Sequence, residues 1–154
     1  MLTLPAQVAH VEVYNGKNFI LSIVHNQMLT QPLVLVVEDD PTISSLIEFR
    51  LKREGYAIAK VVDGHEAMAV FASKVIPSLV IMDVMMPFHD GYELLTNLRS
   101  RAAWKHVPVI MLTSMSREED ILKGLEMGAT DYVIKPFRPA ELSARVKSLL
   151  ARKS

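Results

Sequence analysis

From Pro32 onward, apolar runs and helical text follow one another at regular intervals along the chain. Leu33-Val34-Leu35-Val36-Val37, Leu79-Val80-Ile81-Met82 and Val109-Ile110-Met111-Leu112 are apolar at every position, and Tyr132-Val133-Ile134 is a shorter run of the same kind. Continuous apolarity predicts strands covered on both faces, as in a parallel sheet. Tyr56 to Val62 is interrupted by Lys60, which predicts an edge strand. Between the runs, apolar residues recur at spacings of three and four. Ile43, Leu46, Ile47 and Leu51 follow Asp40-Pro41, an N-cap and first helical residue, and Gly55 is the stop. The same periodicity predicts helices from His65 to Lys74, Gly91 to Ser100, Arg117 to Met127 and Pro139 to Arg152. Five strands and five helices in strict alternation mean right-handed crossovers and a three-layer α/β sandwich.

Open sheets of this kind bind ligands beyond the carboxyl ends of their strands. The first strand ends in Glu38-Asp39-Asp40, the third in Asp83, the fourth in Thr113 and the fifth in Lys135. One edge of the fold therefore collects carboxylates, a hydroxyl and an ammonium. Carboxylates at the end of an apolar strand are costly unless something neutralises them. A hard divalent cation with oxygen ligands does so, and Mg²⁺ takes one or two carboxylates with carbonyls and waters. Glu38, Asp39 and Asp83 supply three negative charges, which Mg²⁺ and Lys135 balance. A site so neutralised accepts an anionic phosphoryl group; without the metal it repels one.

Composition narrows the alternatives. The chain has 154 residues, 50% of them hydrophobic and 22% charged, enough for one domain with a real core. It has no cysteine, which excludes disulfides, thiol catalysis and cysteine-ligated metals. Its 17 basic and 17 acidic residues argue against direct nucleic-acid binding and against an electrostatic membrane anchor. No apolar run has the length of a membrane span. The N-terminus lacks the basic region of a signal peptide, and Phe19 to Val24 is short and holds Ser22, so the expected location is the cytoplasm.

Four segments together resemble the receiver domains of two-component response regulators. They are Val36-Val37-Glu38-Asp39-Asp40-Pro41, Met82-Asp83-Val84-Met85-Met86-Pro87 with Asp90-Gly91, Leu112-Thr113-Ser114, and Asp131-Tyr132-Val133-Ile134-Lys135-Pro136-Phe137. Asp39, Asp83, Thr113 and Lys135 follow one another at gaps of 44, 30 and 22 residues, in the family's order. The resemblance spans residues 32 to about 152 and implies a chemotaxis-regulator-like, flavodoxin-like sheet with strand order 2-1-3-4-5. It implies that Asp83 is the phosphoacceptor, taking a phosphoryl group from a histidine of a sensor kinase or phosphotransfer protein. It implies Mg²⁺ on Asp39, Asp83, Glu38 (directly or through water) and the Met85 backbone carbonyl. Thr113 and Lys135 then hold phosphoryl oxygens, and a cis bond precedes Pro136. Thr113 and Tyr132 form a switch in which Thr113 moves toward the phosphoryl group and Tyr132 rotates into the vacated space. Met85 and Met115, two residues after Asp83 and Thr113, are expected to hinder attacking water and give a long-lived phosphoaspartate. Such a protein is a signalling phosphoacceptor and not an enzyme in the ordinary sense.

Other readings of the same residues are weaker. Capping explains Asp40 fully, with no metal contact expected. A haloacid-dehalogenase-like hydrolase wants a second aspartate two positions after Asp83, where Met85 stands. A flavin phosphate would be repelled by the anionic first loop. A degenerate docking module would lack acids or lysine that this chain keeps. His65, His89 and His106 read as exposed loop residues, and Trp104 as a surface residue between the third helix and fourth strand.

No effector segment follows the fifth helix, so a single-domain regulator is expected, with an unidentified downstream protein as its output. The text from Lys135 to Leu142 is similar to receivers of winged-helix transcription factors, which pair through the helix 4–strand 5–helix 5 face. Glu126, Asp131, Glu141, Arg145 and Lys147 suit such a face. Ile121, Met127 and Thr130 stand where that subfamily has charge, so at most a weak homodimer is expected. Residues 1–31 form an extension, either a hairpin around Asn15-Gly16 or a leader ahead of Met28.

Overall fold

The structure, a computed structural model, describes residues 31–152; the extension, expected as a hairpin around Asn15-Gly16 or a leader, lies outside them but for residue 31. The elements alternate as anticipated: β1 (Leu33–Val37), α1 (Pro41–Arg53), β2 (Ala57–Val61), α2 (Gly64–Phe71), β3 (Leu79–Asp83), α3 (Gly91–Ser100), β4 (Val109–Thr113), α4 (Glu118–Glu126), β5 (Asp131–Ile134) and α5 (Pro139–Ala151). A single 3₁₀ turn, Ala102–Trp104, leads into β4. The strands form one parallel sheet in the order β2-β1-β3-β4-β5, with β2 at an edge.

Successive side chains of a strand point to opposite faces, and here they feed two cores. Leu33, Leu35, Val37, Val80 and Met82 pack with Ala67 and Phe71 of α2 and Leu94, Leu95 and Leu98 of α3. Val34, Val36, Ile81 and Ile110 pack with Ile47 and Leu51 of α1 and Leu142, Val146 and Leu149 of α5. Each large side chain of this kind contributes about 1.5–3 kcal/mol on burial, which is why β1 is apolar throughout and β3 and β4 are apolar up to their last residues, Asp83 and Thr113.

Three helices that begin at the carboxyl edge of the sheet are capped alike. The Asp40 carboxylate accepts from the Thr42 and Ile43 amides at 2.8 and 3.3 Å, Asp63 from Glu66 at 2.8 Å, and Asp90 from Glu93 at 2.9 Å. These aspartates are occupied in satisfying helix N-termini. Helix α2 starts one residue earlier than the periodicity indicates and stops three earlier, at Phe71.

Two sequence expectations fail. Trp104 is a core residue, only 1% exposed, with its ring edge-on to Phe71 at a centroid distance of 5.0 Å. The 3₁₀ turn folds it back under α2 and α3, which sequence spacing does not reveal. His65 lies on α2, not in a loop, and stacks on the Phe88 ring at 4.2 Å.

Arg99, near the end of α3, acts as a clasp. Its Nε donates to the Gly128 carbonyl at 2.9 Å, and one terminal nitrogen donates to the carbonyls of Trp104, Lys105 and Val107 at 3.0, 3.2 and 2.7 Å. No carboxylate is among these partners; burial pushes the guanidinium pKa down. The clasp ties α3, the 3₁₀ turn, the start of β4 and the α4–β5 turn together.

Candidate functional site

All five strands run in one direction, so their carboxyl ends open on one edge of the sheet. Pairing of Val37 with Met82, Asp83 with Leu112 and Thr113 with Ile134 keeps those ends level. Glu38 continues the ladder, donating its amide to the Val61 carbonyl at 3.1 Å, and this draws its side chain inside at 1% exposure. Asp83 and Thr113, the last residues of β3 and β4, are 5% and 1% exposed. Asp39 faces solvent. Lys135 follows β5, its amide bonded to the Thr113 carbonyl at 2.7 Å and its bond to Pro136 cis.

Lys135 brings the site together. Its Nζ donates to Asp83 Oδ2 at 2.9 Å and to both Glu38 carboxylate oxygens at 3.2 Å. The other Asp83 oxygen, Oδ1, accepts the Met85 amide at 3.1 Å, and Thr113 Oγ1 accepts the Met115 amide at 2.9 Å. The electrostatics are those of a site short of positive charge. Burial, followed by the negative charge of Asp83, pushes the Glu38 carboxyl up to about 7 against the pull of Lys135. Burial works to lower the Lys135 pKa, but the contacts with Asp83 and Glu38 outweigh it and the net direction is up.

Glu38, Asp39 and Asp83 each offer a carboxylate oxygen, all within 4.8 Å of one another. Three carboxylates face one ammonium, and two of them are buried. Such an all-oxygen donor set fits a hard divalent cation better than a soft metal.

Of the residues singled out from the sequence, Glu38, Asp39, Asp83, Thr113 and Lys135 meet at this edge. The Met85 side chain is 65% exposed beside it. Tyr132 is a different matter. It pairs with Met111 across β4 and β5, is 7% exposed, and points into the core shared with α3 and α4. Gly91, quoted with the second motif, has a steric role that the sequence does not reveal. A Cβ there would stand 2.7 Å from the Val84 Cα, and its amide donates to the Val84 carbonyl at 2.7 Å. Only glycine lets α3 start so close behind Asp83.

The profile of the response regulator receiver domain matches residues 34–147. The chain belongs to the response regulator receiver family. It is 45% identical over 119 residues to the probable transcriptional regulator ycf27 of Cyanophora paradoxa, an alignment covering 77% of this chain and 48% of that one. It is 42% identical over 119 residues to the alkaline phosphatase synthesis transcriptional regulatory protein PhoP of Bacillus subtilis, covering 77% and 48%. The chain spans about half the length of these relatives. Among solved structures, the receiver superposes on the chemotaxis response regulator CheY4 of Vibrio cholerae with a TM-score of 0.74 and 32% identity, covering 78% of this chain and 99% of that one. It superposes on the receiver domain of the sensor histidine kinase PA1611 of Pseudomonas aeruginosa with a TM-score of 0.72 and 30% identity, covering 79% and 98%. That receiver holds a magnesium ion coordinated in its active site cleft. The receiver fold read from the alternating text and motifs is therefore the fold of this chain, as a domain of two-component signalling. Among the described residues no helix is long and apolar enough to cross a membrane.

Proposed function

We propose that this receiver is a phosphoacceptor in which Asp83 takes a phosphoryl group from a phosphohistidine of a sensor kinase or phosphotransfer protein. The observation that carries the reading is the Lys135 ammonium held between Asp83 and Glu38. In the step, one Asp83 oxygen forms a bond to phosphorus while the histidine nitrogen–phosphorus bond breaks. The imidazole leaves with its electron pair and takes up a proton. Phosphoryl transfer asks the protein mainly for positioning and charge neutralisation. The Met85 amide and Lys135 orient the Asp83 carboxylate. Lys135 and Thr113 are placed to receive oxygens of the transferred group; Lys suits this because its charge sits on a flexible stem.

Glu38, Asp39 and Asp83, with the Met85 backbone carbonyl, are the groups that would hold Mg²⁺. Bound there, Mg²⁺ supplies the positive charge the site lacks and screens the incoming phosphoryl oxygens. Acetyl phosphate tests the reading. With Mg²⁺ the purified protein is expected to gain the mass of one phosphoryl group, with no gain in EDTA or for Asp83→Asn. A gain by Asp83→Asn equal to that of the wild type would refute the assignment.

The exposed Met85 and half-buried Met115 flank the same edge. Two apolar groups hinder in-line water, so slow autodephosphorylation is expected. A half-life of minutes or longer in a chase of phosphorylated protein supports this, and one of seconds contradicts it.

The switch reading joins Thr113 to Tyr132, a local charge change biasing a two-state element. Its output is the α4–β5–α5 face. There Arg145 pairs within the chain, with Asp131 at 2.9 Å and Glu141 at 3.4 Å, while Leu122, Leu125 and Ile134 are 50%, 40% and 40% exposed. That face suits an apolar protein partner better than the charged symmetric dimer of winged-helix regulators. On this reading the receiver acts in the cytoplasm, and residues 31–152 do not themselves contact nucleic acid.

A further inference from the structure

Glycine inside a helix is unfavourable against alanine, yet Gly124 sits in the last turn of α4, two residues before its end, and is buried. Opposite it stands Tyr132. A Cβ at position 124 would fall inside the Tyr132 hydroxyl and Cζ, and even Cε2 would be only 2.8 Å away. The tyrosine ring thus occupies the volume that any other residue at 124 would claim.

The seat is poorly furnished for a hydroxyl. Tyr132 Oη is buried with no hydrogen-bond partner. Burial, first of all, pushes the phenol pKa up, and Tyr92 and Asp120 add to the shift. A buried polar group without a partner carries a penalty, while the ring gains from apolar burial. The two terms oppose each other, as a residue with two accessible positions requires.

We infer that Gly124 is the seat of Tyr132, so that the residue at 124 decides whether the tyrosine lies inward under α4 or turns outward. This rests on the reading of Tyr132 as the switch, because only then does its position bear on phosphorylation. If the inward ring belongs with the phosphorylated site, linkage makes the effect reciprocal. Disfavouring the inward ring must then weaken the site's hold on a phosphoryl group or its mimic.

The test uses the full chain and four forms: wild type, Gly124→Ala, Tyr132→Leu and Gly124→Ala/Tyr132→Leu. Leucine lacks the ring atoms that would meet the new methyl group. Gly124→Ala is expected to lower Tm in the wild-type background and to raise it in the Tyr132→Leu background. Nuclear Overhauser contacts between the Tyr132 ring and residue 124 should vanish in Gly124→Ala. Its affinity for beryllofluoride with Mg²⁺ should fall at least about fivefold, with no further fall when Gly124→Ala is added to Tyr132→Leu. If Gly124→Ala raises Tm in the wild-type background and the ring contacts persist, the seat is refuted. A ring that leaves without change in beryllofluoride affinity upholds the seat and removes the switch reading. Should Gly124→Ala fail to fold, folding of the double variant upholds the seat. Failure of both overturns it, since the backbone and not Tyr132 would then demand glycine.

Discussion

Lys135→Ala is expected to slow phosphorylation by acetyl phosphate with Mg²⁺ by about 10²–10³-fold, the cost of removing one preorganised group that stabilises transition-state charge. The reason lies in the arrangement around its Nζ. At 2.9 Å from Asp83 and 3.2 Å from both Glu38 oxygens, it is the ammonium that keeps two buried carboxylates side by side. Without it the burial and the negative charge of Asp83 that already push Glu38 up to about 7 go unopposed, and no cation at the end of β5 is left to meet the phosphoryl group. Lys135→Arg should recover little, because a planar fork does not replace a compact charge on a flexible stem. Initial rates of phosphoprotein formation, read by intact mass, measure both variants. An Ala variant within threefold of wild type would remove Lys135 from the mechanism.

The second large effect concerns stability. Arg99→Ala is expected to cost at least about 3 kcal/mol, because four backbone carbonyls lose a charged donor and those that are buried stay unsatisfied. For a domain of this size that corresponds to a fall in Tm of roughly 10 °C. Arg99→Lys should fall between the two, since a single ammonium cannot reach carbonyls spread from Trp104 to Gly128 as a guanidinium does. Thermal unfolding decides it, and a fall of under 2 °C for the Ala variant would mean that water replaces the clasp at little cost.

The contrast between these two residues shows what sequence reveals. Lys135 is legible because its chemistry sits at the end of an apolar strand, at a family spacing from Asp39, Asp83 and Thr113. Strand ends are where a parallel sheet concentrates polar groups, so the reading of the strands carries the reading of the site. The capping role of Asp40 was legible for a similar local reason: its partners are two and three residues away. Arg99 was not, because its partners are carbonyls, which every residue has. The need for glycine at 124, and the steric reason for Gly91 within its motif, were not legible, since what excludes a side chain there comes from β5 and from the end of β3. Trp104 was misplaced for the same reason. Its burial depends on how a 3₁₀ turn folds it against Phe71, 33 residues earlier in the chain, and no local pattern encodes that contact.

The phosphoryl group is expected on Asp83 and on no other carboxylate of the site. An aspartyl phosphate is an acyl phosphate and can be trapped by borohydride, which reduces the phosphorylated carboxyl to an alcohol and leaves free carboxylates untouched. Wild-type protein treated with acetyl phosphate and Mg²⁺, reduced and then digested, is expected to carry homoserine at position 83 and unchanged aspartate at positions 39 and 40. Homoserine at 39, or an unreduced Asp83 in protein that has gained the phosphoryl mass, would contradict the account.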